Sequence, residues 1–267
     1  MKYLTIGTLW KNEELYAEDF IKYHRKVGVD HFVIFDREYH RLNSLIGHYP
    51  DVEIIHFPEN KNNNHMEAWG QLIRLSQNKT KWLALIDGDM ALSPQKSNDV
   101  KEVLKNYEEF ACIQINWRAF GSSYKENYEN KPLYERFLLT GNDDCIYNHH
   151  TQMIVNPLKV KPLKTEEPHY PHLNEGEVSV NTNKQEISNT QTHVLNPNRP
   201  RIFNSPPLYD VLWVAHYTNK SKEEFLSKNS KGRADIIGSK MPLEQFDEYD
   251  AVCNKKRELR VVDLWLR

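Results

Sequence analysis

The clearest chemistry in this chain lies in two carboxylates separated by one glycine, Asp87-Gly88-Asp89. They follow an apolar run at 82–86, which predicts a buried strand that delivers both carboxylates to its carboxyl end. Two carboxylates this close repel each other and need a counter-charge, which a divalent cation commonly supplies. The glycine permits a turn and the close approach of a ligand. A polar Asp-Gly turn after a strand is the other interpretation of the same residues.

The elements that must position this pair alternate between strand and helix patterns through the first hundred residues. Strands are predicted at Tyr3–Leu9, His31–Phe35, Val52–Phe57 and Trp82–Ile86, and helices at Glu13–Val27 and Glu67–Gln77. This order predicts an α/β fold with a Rossmann-like, mostly parallel central sheet and helices on both faces. Ligands bind such sheets beyond the carboxyl ends of the strands. Residues 9–12, Asp36 and the acidic pair all fall at that edge.

The second half of the chain is less regular. Helices are predicted at Val100–Tyr107 and Tyr134–Leu139, and strands at Ala111–Ile115, Gln152–Asn156 and Leu212–Ala215. Ser221 with Glu224 three residues later is the capping-box pattern that begins a further helix. Neither an internal repeat nor a clear linker interrupts the sequence, so we expect a single domain over 1–267.

Composition narrows the class of protein. The 267 residues carry a net charge of -2, which gives no support for a nucleic-acid partner held by a basic face. Three cysteines without metal-ligand spacing are typical of a reducing compartment. No signal peptide is evident, and no stretch approaches the roughly 20 apolar residues of a membrane span, so a cytoplasmic location is expected. The basic, apolar tail at 241–267 predicts a docked terminal element or, less favoured, weak contact with a membrane surface.

Four ordered stretches resemble one group of enzymes. They are Lys11-Asn12-Glu13 with 20–24 and 28–32, Ile86–Asp89, Trp117–Ser123 followed by Glu135-Arg136-Phe137, and His216-Tyr217 followed by 220–233. In this order they resemble GT-A-fold glycosyltransferases, most closely glycosyltransferase family 92 and its family-2-like relatives. Two positions depart from the family's pattern, because Met90 stands where a glutamate is common and Ser123-Tyr124 replaces a glycine-histidine ending.

The resemblance implies a metal-dependent glycosyltransferase that moves a hexose or pentose from a nucleotide-sugar, favouring UDP, to a glycan hydroxyl with inversion. It implies a nucleotide-binding half at about 1–110 and an acceptor and metal-completing half at about 111–240. Mn²⁺ or Mg²⁺ is expected to neutralise the leaving diphosphate as a Lewis acid. Asp89 would bind the metal directly, and His216 would be a third ligand. Asp87 would contact either the ribose or, through water, the metal. A core or surface role for His216, one of twelve histidines, is the alternative.

A further set of residues would hold the nucleotide in such an enzyme. The candidates are Thr8, Leu9, Asn12, Asp36, His65, Asp87, Gly88 and Lys220, with Lys228 and Arg233 as additional phosphate ligands. Each has an ordinary structural alternative. Asp36 equally suits a turn at the end of a strand, Asn12 a helix cap, and the lysines a solvated helix face.

Inversion also needs a base that deprotonates the acceptor. The candidates are Asp144, Asp143, Glu135, His172 and His169, with Asp144 favoured and a loop or salt-bridge role as the alternative for the acidic ones. Trp117 could stack on a sugar, and Gly121 and Ser122 belong to the loop that the resemblance places beside the substrate.

Two other functions use the same residues differently. A nucleotidyltransferase-like enzyme could employ the acidic pair, but Gly7 stands without the glycine-rich loop that cradles phosphates in many such proteins. A non-catalytic glycan-binding protein of the same fold would not depend on Asp89.

Overall fold

The computed structural model describes residues 1–59, 65–163, 165, 169–188, 192–193, 196–200, 203–232 and 241–267. Its strands are β1 (Lys2–Trp10), β2 (His31–Asp36), β3 (Val52–His56), β4 (Thr80–Leu85), β5 (Met90–Pro94), β6 (Cys112–Ala119), β7 (Leu139–Thr140), β8 (Thr151–Val155), β9 (Ser179–Asn181), β10 (Thr192–His193), β11 (Asn196–Pro200), β12 (Leu212–His216) and β13 (Lys256–Arg257). Its helices are α1 (Ala17–Lys26), α2 (Tyr39–Ile46), α3 (His65–Ser76), α4 (Val100–Leu104), α5 (Leu133–Arg136), α6 (Lys222–Lys231), α7 (Leu243–Cys253) and α8 (Arg260–Trp265). Short 3-10 turns occupy Glu14–Tyr16, Lys105–Tyr107 and Ile146–His149.

One large sheet organises the described chain. Its order is β3-β2-β1-β4-β8-β6-β12-β5, and β9 also pairs with β6. The first four strands of the chain run parallel to one another, as helical crossovers between them require. β8 is antiparallel to β4 and β6, and β5 is antiparallel to β12. The prediction of an α/β fold around a mostly parallel sheet is therefore confirmed.

Both faces of the sheet are covered, as the alternation of side chains along β1 shows. Leu4 and Ile6 point into a core shared with α1, whereas Leu9 belongs to a second core shared with Trp69 and Leu72 of α3. Successive residues of a strand point to opposite faces, so one apolar strand supplies both cores. Crossover helices on both faces leave the carboxyl ends of the strands as an open edge.

Several elements differ from the sequence-based prediction. The predicted helix at Tyr134–Leu139 is reduced to the single turn of α5, because Leu139 and Thr140 pair with β13 instead. α2, β5 and α7 were not predicted. The tail forms α8, whose Val261 and Leu264 are buried against the domain, so the expectation of a docked terminal element is confirmed. Within the described residues, none of the helices has the length and apolar character to cross a bilayer.

A buried histidine joins α1 to β5. His24 Nδ1 lies 2.8 Å from the carbonyl oxygen of Phe20, and the backbone amide of Leu92 donates to His24 Nε2 at 3.3 Å. Because Nε2 accepts this hydrogen bond, the imidazole is neutral with its proton on Nδ1. Burial lowers the pKa of His24 to about 3, despite the opposing effect of the Phe20 carbonyl. Protonation of His24 Nε2 would place its N–H against the backbone N–H of Leu92.

This histidine predicts a specific loss of stability in acid. An unfolded histidine has a pKa of about 6.5. Between that value and about 3, the unfolded chain binds a proton that the native chain does not. The free energy of unfolding should therefore decrease as the pH is lowered through this window, by up to about 1.4 kcal/mol per pH unit. Urea melts at pH 7.5, 6 and 5 measure it. His24→Gln should be less stable at pH 7.5 but lose stability less steeply, and an unchanged slope would contradict the assignment.

Candidate active site

The acidic pair lies in the turn that joins β4 to β5. The amide of Met90 donates to the carbonyl of Asp87 at 3.1 Å, so the turn interpretation of these residues is correct in its geometry. The two carboxylates differ in their surroundings. Asp87 is half-buried, whereas Asp89 is buried and its carbonyl accepts from the amide of Tyr217 at 2.9 Å, just beyond β12. The turn between β4 and β5 therefore holds the backbone of Asp89 against the end of β12.

The glycine of the pair is required by packing against an indole. A Cβ at Gly88 would lie 2.7 Å from Cε2 of Trp10, closer than carbon atoms approach. The indole in turn donates from Nε1 to Oγ1 of Thr8 at 2.9 Å. Both Thr8 and Leu9 are buried, so their side chains belong to the scaffold, and the prediction that backbone near Thr8 contacts a base stays a prediction. Gly88 faces Trp10 where the sequence suggested a ligand.

Asp89 belongs to a cluster of two carboxylates and two ammonium groups, in which Asp89, Glu13 and Lys220 are buried and Lys228 is half-buried. Lys228 Nζ lies 3.0 Å from Asp89 Oδ2 and 2.5 Å from Glu13 Oε1. Lys220 Nζ lies 3.2 Å from Glu13 Oε2 and 3.7 Å from Asp89 Oδ2. Each lysine thus bridges both acids, and the four formal charges cancel. Sequence reasoning treated Glu13 as the start of a helix and did not find its pairing with the lysines.

Electrostatics hold this cluster in its charged form. Burial alone would raise the pKa of Asp89, but Lys228, Lys220 and His216 together hold it well below its ordinary value. Burial would lower the pKa of Lys228, yet the facing carboxylates of Asp89 and Glu13 raise it. Both groups are therefore ionised at neutral pH. Removing one member would leave an uncompensated buried charge, which is far more costly than losing an exposed ion pair.

The local fold of α6 explains how the two lysines reach Asp89. Ser221 caps the helix in a reciprocal box with Glu224, as the sequence predicted. Glu224 is fixed in turn by Arg136, whose Nη1 donates to Oε2 at 2.8 Å, and by the hydroxyl of Tyr16. Lys220 sits just before the cap with a left-handed φ of 57°. The cap thus orients both the lysine that precedes the helix and the helix itself.

His216 ends β12 beside Asp89, as predicted for a third ligand. Its Nε2 lies 3.6 Å from Asp89 Oδ1, and its ring meets the edge of Trp117 at 4.3 Å between centroids. Trp117 also stacks on His150 at 4.7 Å and contacts His169 at 5.5 Å. Gln152 holds this aromatic group, since its Oε1 accepts from Trp117 Nε1 at 3.2 Å. His150 and Gln152 were missed, although a glutamine in an apolar strand was an available signal.

Most of the acidic candidates for the base have other partners. Glu135 Oε1 accepts from Trp265 Nε1 at 2.8 Å and so anchors α8. Asp143 pairs with Arg118 at 2.6 Å and with Lys256 at 3.0 Å. Asp144 is exposed beside it. These contacts give Glu135 and Asp143 structural roles.

The two histidine candidates lie in different surroundings. His169 is buried against Trp117. His172 is half-buried, and its carbonyl accepts from the amide of Lys161 at 2.7 Å. The contacts therefore connect His169 to the group around His216 and Asp89.

The glycine-serine loop is bound to α7. The amide of Ser122 donates to Asp250 Oδ1 at 2.8 Å, and its hydroxyl also bonds to Asp250. A Cβ at Gly121 would lie 2.4 Å from Asn254 Oδ1, which accepts from the amide of Ser123. The polar groups assigned to the substrate are thus engaged in holding a helix that the sequence did not predict. Gly121 and Ser122 thus have packing roles, and their contact with a substrate stays a prediction.

Two of the residues predicted to bind the nucleotide each have a buried side-chain oxygen that can accept a hydrogen bond. Asp36 accepts from the amide of Glu38 through Oδ1 at 2.9 Å, and its Oδ2 is buried without a partner in the described part of the chain. Burial raises the pKa of Asp36. Asn12 donates to the carbonyl of Gly232 at 3.2 Å, and its Oδ1 is likewise buried without a partner among these residues. Such atoms suit a ligand that donates hydrogen bonds.

His65 is the remaining nucleotide candidate with a defined contact. Its Nε2 lies 3.3 Å from Asp87 Oδ1, and its ring packs at 4.3 Å from Trp69. Asp87 therefore faces α3, whereas Asp89 faces β12 and α6. Arg233, the last phosphate candidate, lies outside the described residues.

The donor set fits a divalent metal only in part. Among the described residues, no group of three or more His, Cys, Asp or Glu side chains is arranged around a common ion. Asp89 and His216 nevertheless place an oxygen and an imidazole nitrogen side by side, which suits Mn²⁺. Mg²⁺ commonly binds through one or two carboxylates plus substrate phosphates rather than in an all-protein cage. Asp89 and His216 thus supply two of the ligands that an ion would need, and the described residues supply no third.

These features define an α/β protein with a charged site at the carboxyl edge of its sheet, the edge at which such folds bind nucleotides. The model of glycosyltransferase family 92 matches residues 6–236 of the chain. The protein therefore belongs to glycosyltransferase family 92.

Three solved structures show low similarity to parts of the chain. A mannose-1-phosphate geranyltransferase from Thermus thermophilus is 11% identical, with a TM-score of 0.31 over 44% of this chain and 42% of that one. A putative glucose-1-phosphate thymidylyltransferase from Bacillus anthracis is 10% identical, with a TM-score of 0.35 over 59% and 72%. The WbbM bifunctional glycosyltransferase is 14% identical, with a TM-score of 0.29 over 43% and 23%. The chain thus spans less than half the length of the first and third. No curated protein matches it.

The contact between Gly88 and Trp10 predicts a packing defect in Gly88→Ala. The added methyl would overlap the indole, and overpacking of this kind costs about 1–3 kcal/mol. Chemical denaturation measures the loss. The matched test is the double variant Gly88→Ala with Trp10→Phe, in which the smaller ring makes room. Its destabilisation should be less than the sum of the two single variants, whereas strict additivity would show that the two residues do not interact.

Proposed function

We propose that this glycosyltransferase takes its sugar from a nucleotide donor whose diphosphate lies beside Asp89. The observation that carries the proposal is the charged group at the carboxyl edge of the sheet, which consists of Asp89, His216, Lys220 and Lys228. A nucleoside on the side of Asp36 would find the buried Oδ2 as an acceptor for a base or ribose. UDP is the favoured nucleotide on the resemblance of the sequence motifs.

Asp89 and His216 are the residues that would hold Mn²⁺ or Mg²⁺ in this proposal. A bound divalent ion would offset the charge of the leaving diphosphate. Lys220 and Lys228 would add further positive charge beside the diphosphate. Asp89 stays ionised at neutral pH because Lys228 and Lys220 outweigh the effect of burial on its pKa, so it carries the negative charge that a cation would need.

The acceptor is proposed to bind on the far side of His216, where Trp117 offers a partly exposed aromatic ring. Aromatic rings of this kind stack on the apolar faces of sugars. His169 contacts Trp117 and could accept the proton of the attacking hydroxyl, in keeping with an inverting reaction. Among the candidates for the base, this contact favours His169 over Glu135 and Asp143, which hold α8 and Arg118.

Ligand-dependent stabilisation tests the donor. UDP together with Mn²⁺ should raise the melting temperature, since a ligand that binds only the native state stabilises it. A panel of UDP, GDP, CMP and ADP, each with Mn²⁺ and with EDTA, identifies the base. Stabilisation by none of these nucleotides would refute a nucleotide-sugar donor.

Asp89→Asn tests the residue that carries the proposal. Hydrolysis of the matching nucleotide-sugar should fall by at least about 100-fold, comparable to the loss of one electrostatic contact to the reacting group. Asp263→Asn, an exposed carboxylate on α8, is the matched control and should keep full activity. Full activity in a folded Asp89→Asn would refute the role of Asp89, whereas absence of hydrolysis in the wild-type protein would favour a binding protein without catalysis.

A further inference from the structure

Two fully buried glutamines of the central sheet hold His169 in place. Gln152 of β8 faces the imidazole, with its Oε1 3.2 Å from His169 Nδ1. Gln114 of β6 donates from Nε2 to the backbone carbonyl of His169 at 3.0 Å. His169 is itself buried. Buried polar side chains must form their hydrogen bonds within the protein, so these contacts restrict how each amide can lie.

The orientation of the Gln152 amide follows from its two other partners. Its Nε2 lies 2.7 Å from the carbonyl oxygen of Leu85, which can only accept a hydrogen bond. Its Oε1 lies 3.2 Å from the indole Nε1 of Trp117, which can only donate. Turning the amide over would place two N–H donors against each other at Trp117 and two oxygens against each other at Leu85. Oε1 is therefore the atom of Gln152 that faces His169.

This oxygen fixes the protonation of one imidazole nitrogen. An amide oxygen has two lone pairs and no proton, so it can accept from Trp117 and from His169 together. His169 Nδ1 must then carry a proton, in the neutral ring and in the charged ring alike. Nε2 is therefore the nitrogen at which this ring gains or loses a proton. The partner of one ring nitrogen thus decides the role of the other.

Gln114 holds the backbone of the same histidine. Its Oε1 accepts from the hydroxyl of Thr151 at 2.8 Å, so its Nε2 is the atom that donates to the carbonyl of His169. Because this bond is made to the main chain, it positions the residue but does not select between the ring nitrogens. That selection depends on Gln152. The two glutamines therefore offer a matched pair for experiment.

We propose that Gln152 is the positioning residue for the base, because it keeps a proton on His169 Nδ1 so that Nε2 takes the proton of the attacking hydroxyl. This inference rests on the proposed function, in which His169 is the base. In the step, the O–H bond breaks and an N–H bond forms at Nε2. The oxygen attacks the anomeric carbon with its electron pair while the bond to the diphosphate breaks. Gln152 stabilises the resulting imidazolium through the hydrogen bond from Nδ1.

The same oxygen also orients the ring that is proposed to bind the sugar. Trp117 and His169 both donate to Gln152 Oε1 in this arrangement. One buried atom thus sets the direction of the indole and the protonation of the imidazole. The acceptor surface and the base are therefore positioned together by β8.

Nuclear magnetic resonance of ¹⁵N-histidine-labelled protein tests the contact without any substrate. Two-bond ¹H–¹⁵N correlations at pH 8.5 should show a proton on Nδ1 of His169. The signal is assigned by its loss in His169→Gln and by its nuclear Overhauser contacts to the indole of Trp117. A wild-type protein in which Nδ1 carries no proton would overturn the inference.

Gln152→Met removes the acceptor with a side chain of similar shape. The ratio of the Nδ1–H form to the Nε2–H form should fall at least about fivefold, the equivalent of one hydrogen bond. Gln152→Glu keeps an acceptor oxygen and should keep the wild-type ratio. Gln114→Met, the same replacement at an equally buried glutamine, is the matched control and should also keep it. A wild-type ratio in Gln152→Met would refute the role of Gln152, and the wild-type spectrum decides the contact if that variant does not fold.

Hydrolysis of UDP-glucose, UDP-galactose and UDP-N-acetylglucosamine with Mn²⁺ connects the protonated nitrogen to the reaction. With each donor that the wild-type protein hydrolyses, Gln152→Met should lower kcat at least about tenfold, part of what a general base contributes. The KM of the donor should stay within about twofold, because the amide acts through the base. An equal loss of kcat in Gln114→Met would show that packing is responsible and would count against the proposal.

The two levels of the proposal fail differently. A wild-type protein that neither binds nor hydrolyses these nucleotide-sugars would remove the proposed function, and with it the role of His169 as a base. A wild-type protein that hydrolyses a donor while Nδ1 carries no proton would remove only the role of Gln152.

Discussion

The structure of the site depends on one requirement. The negative charge of Asp89, which the sheet buries, must be balanced by positive charges. β4 and β5 place Asp89 in a turn between two packed strands, where burial alone would neutralise it. Compensation comes from Lys220 and Lys228, which the capping box at the start of α6 delivers from the far end of the chain. The position of α6 is therefore part of the electrostatics of the site. Glu13 completes the balance from the end of β1.

The sequence predicts the sheet well because its strands and helices carry local patterns. Apolar runs with short connections gave β1 to β4 and their open edge, and Ser221 with Glu224 gave the start of α6. The pairing of charges has no such local signal. Lys228 lies 139 residues from Asp89, and only the folded chain brings them together. β5 escaped prediction because it follows the acidic turn directly, and a short apolar run there has no period that separates strand from turn.

Several residues that the motifs marked as functional have packing roles that sequence patterns cannot distinguish. Gly88 admits the indole of Trp10, and Gly121 admits the amide of Asn254. Ser122 is bonded to Asp250 of α7, a helix without a strong periodic pattern. A glycine required by a side chain and a glycine required by a ligand look the same in a sequence. What separates them is the atom that a Cβ would meet.

The two halves of the site obey different physical rules, and His216 joins them. On one side charges lie in a buried, low-dielectric setting, where every added ion must bring or displace another. On the other side the rings of Trp117, His150 and His169 pack against one another and offer an aromatic surface. A sugar bonded to a diphosphate has both characters, since one end is anionic and the other presents C–H faces. In the proposed function, the bond between the sugar and the diphosphate would therefore lie near His216.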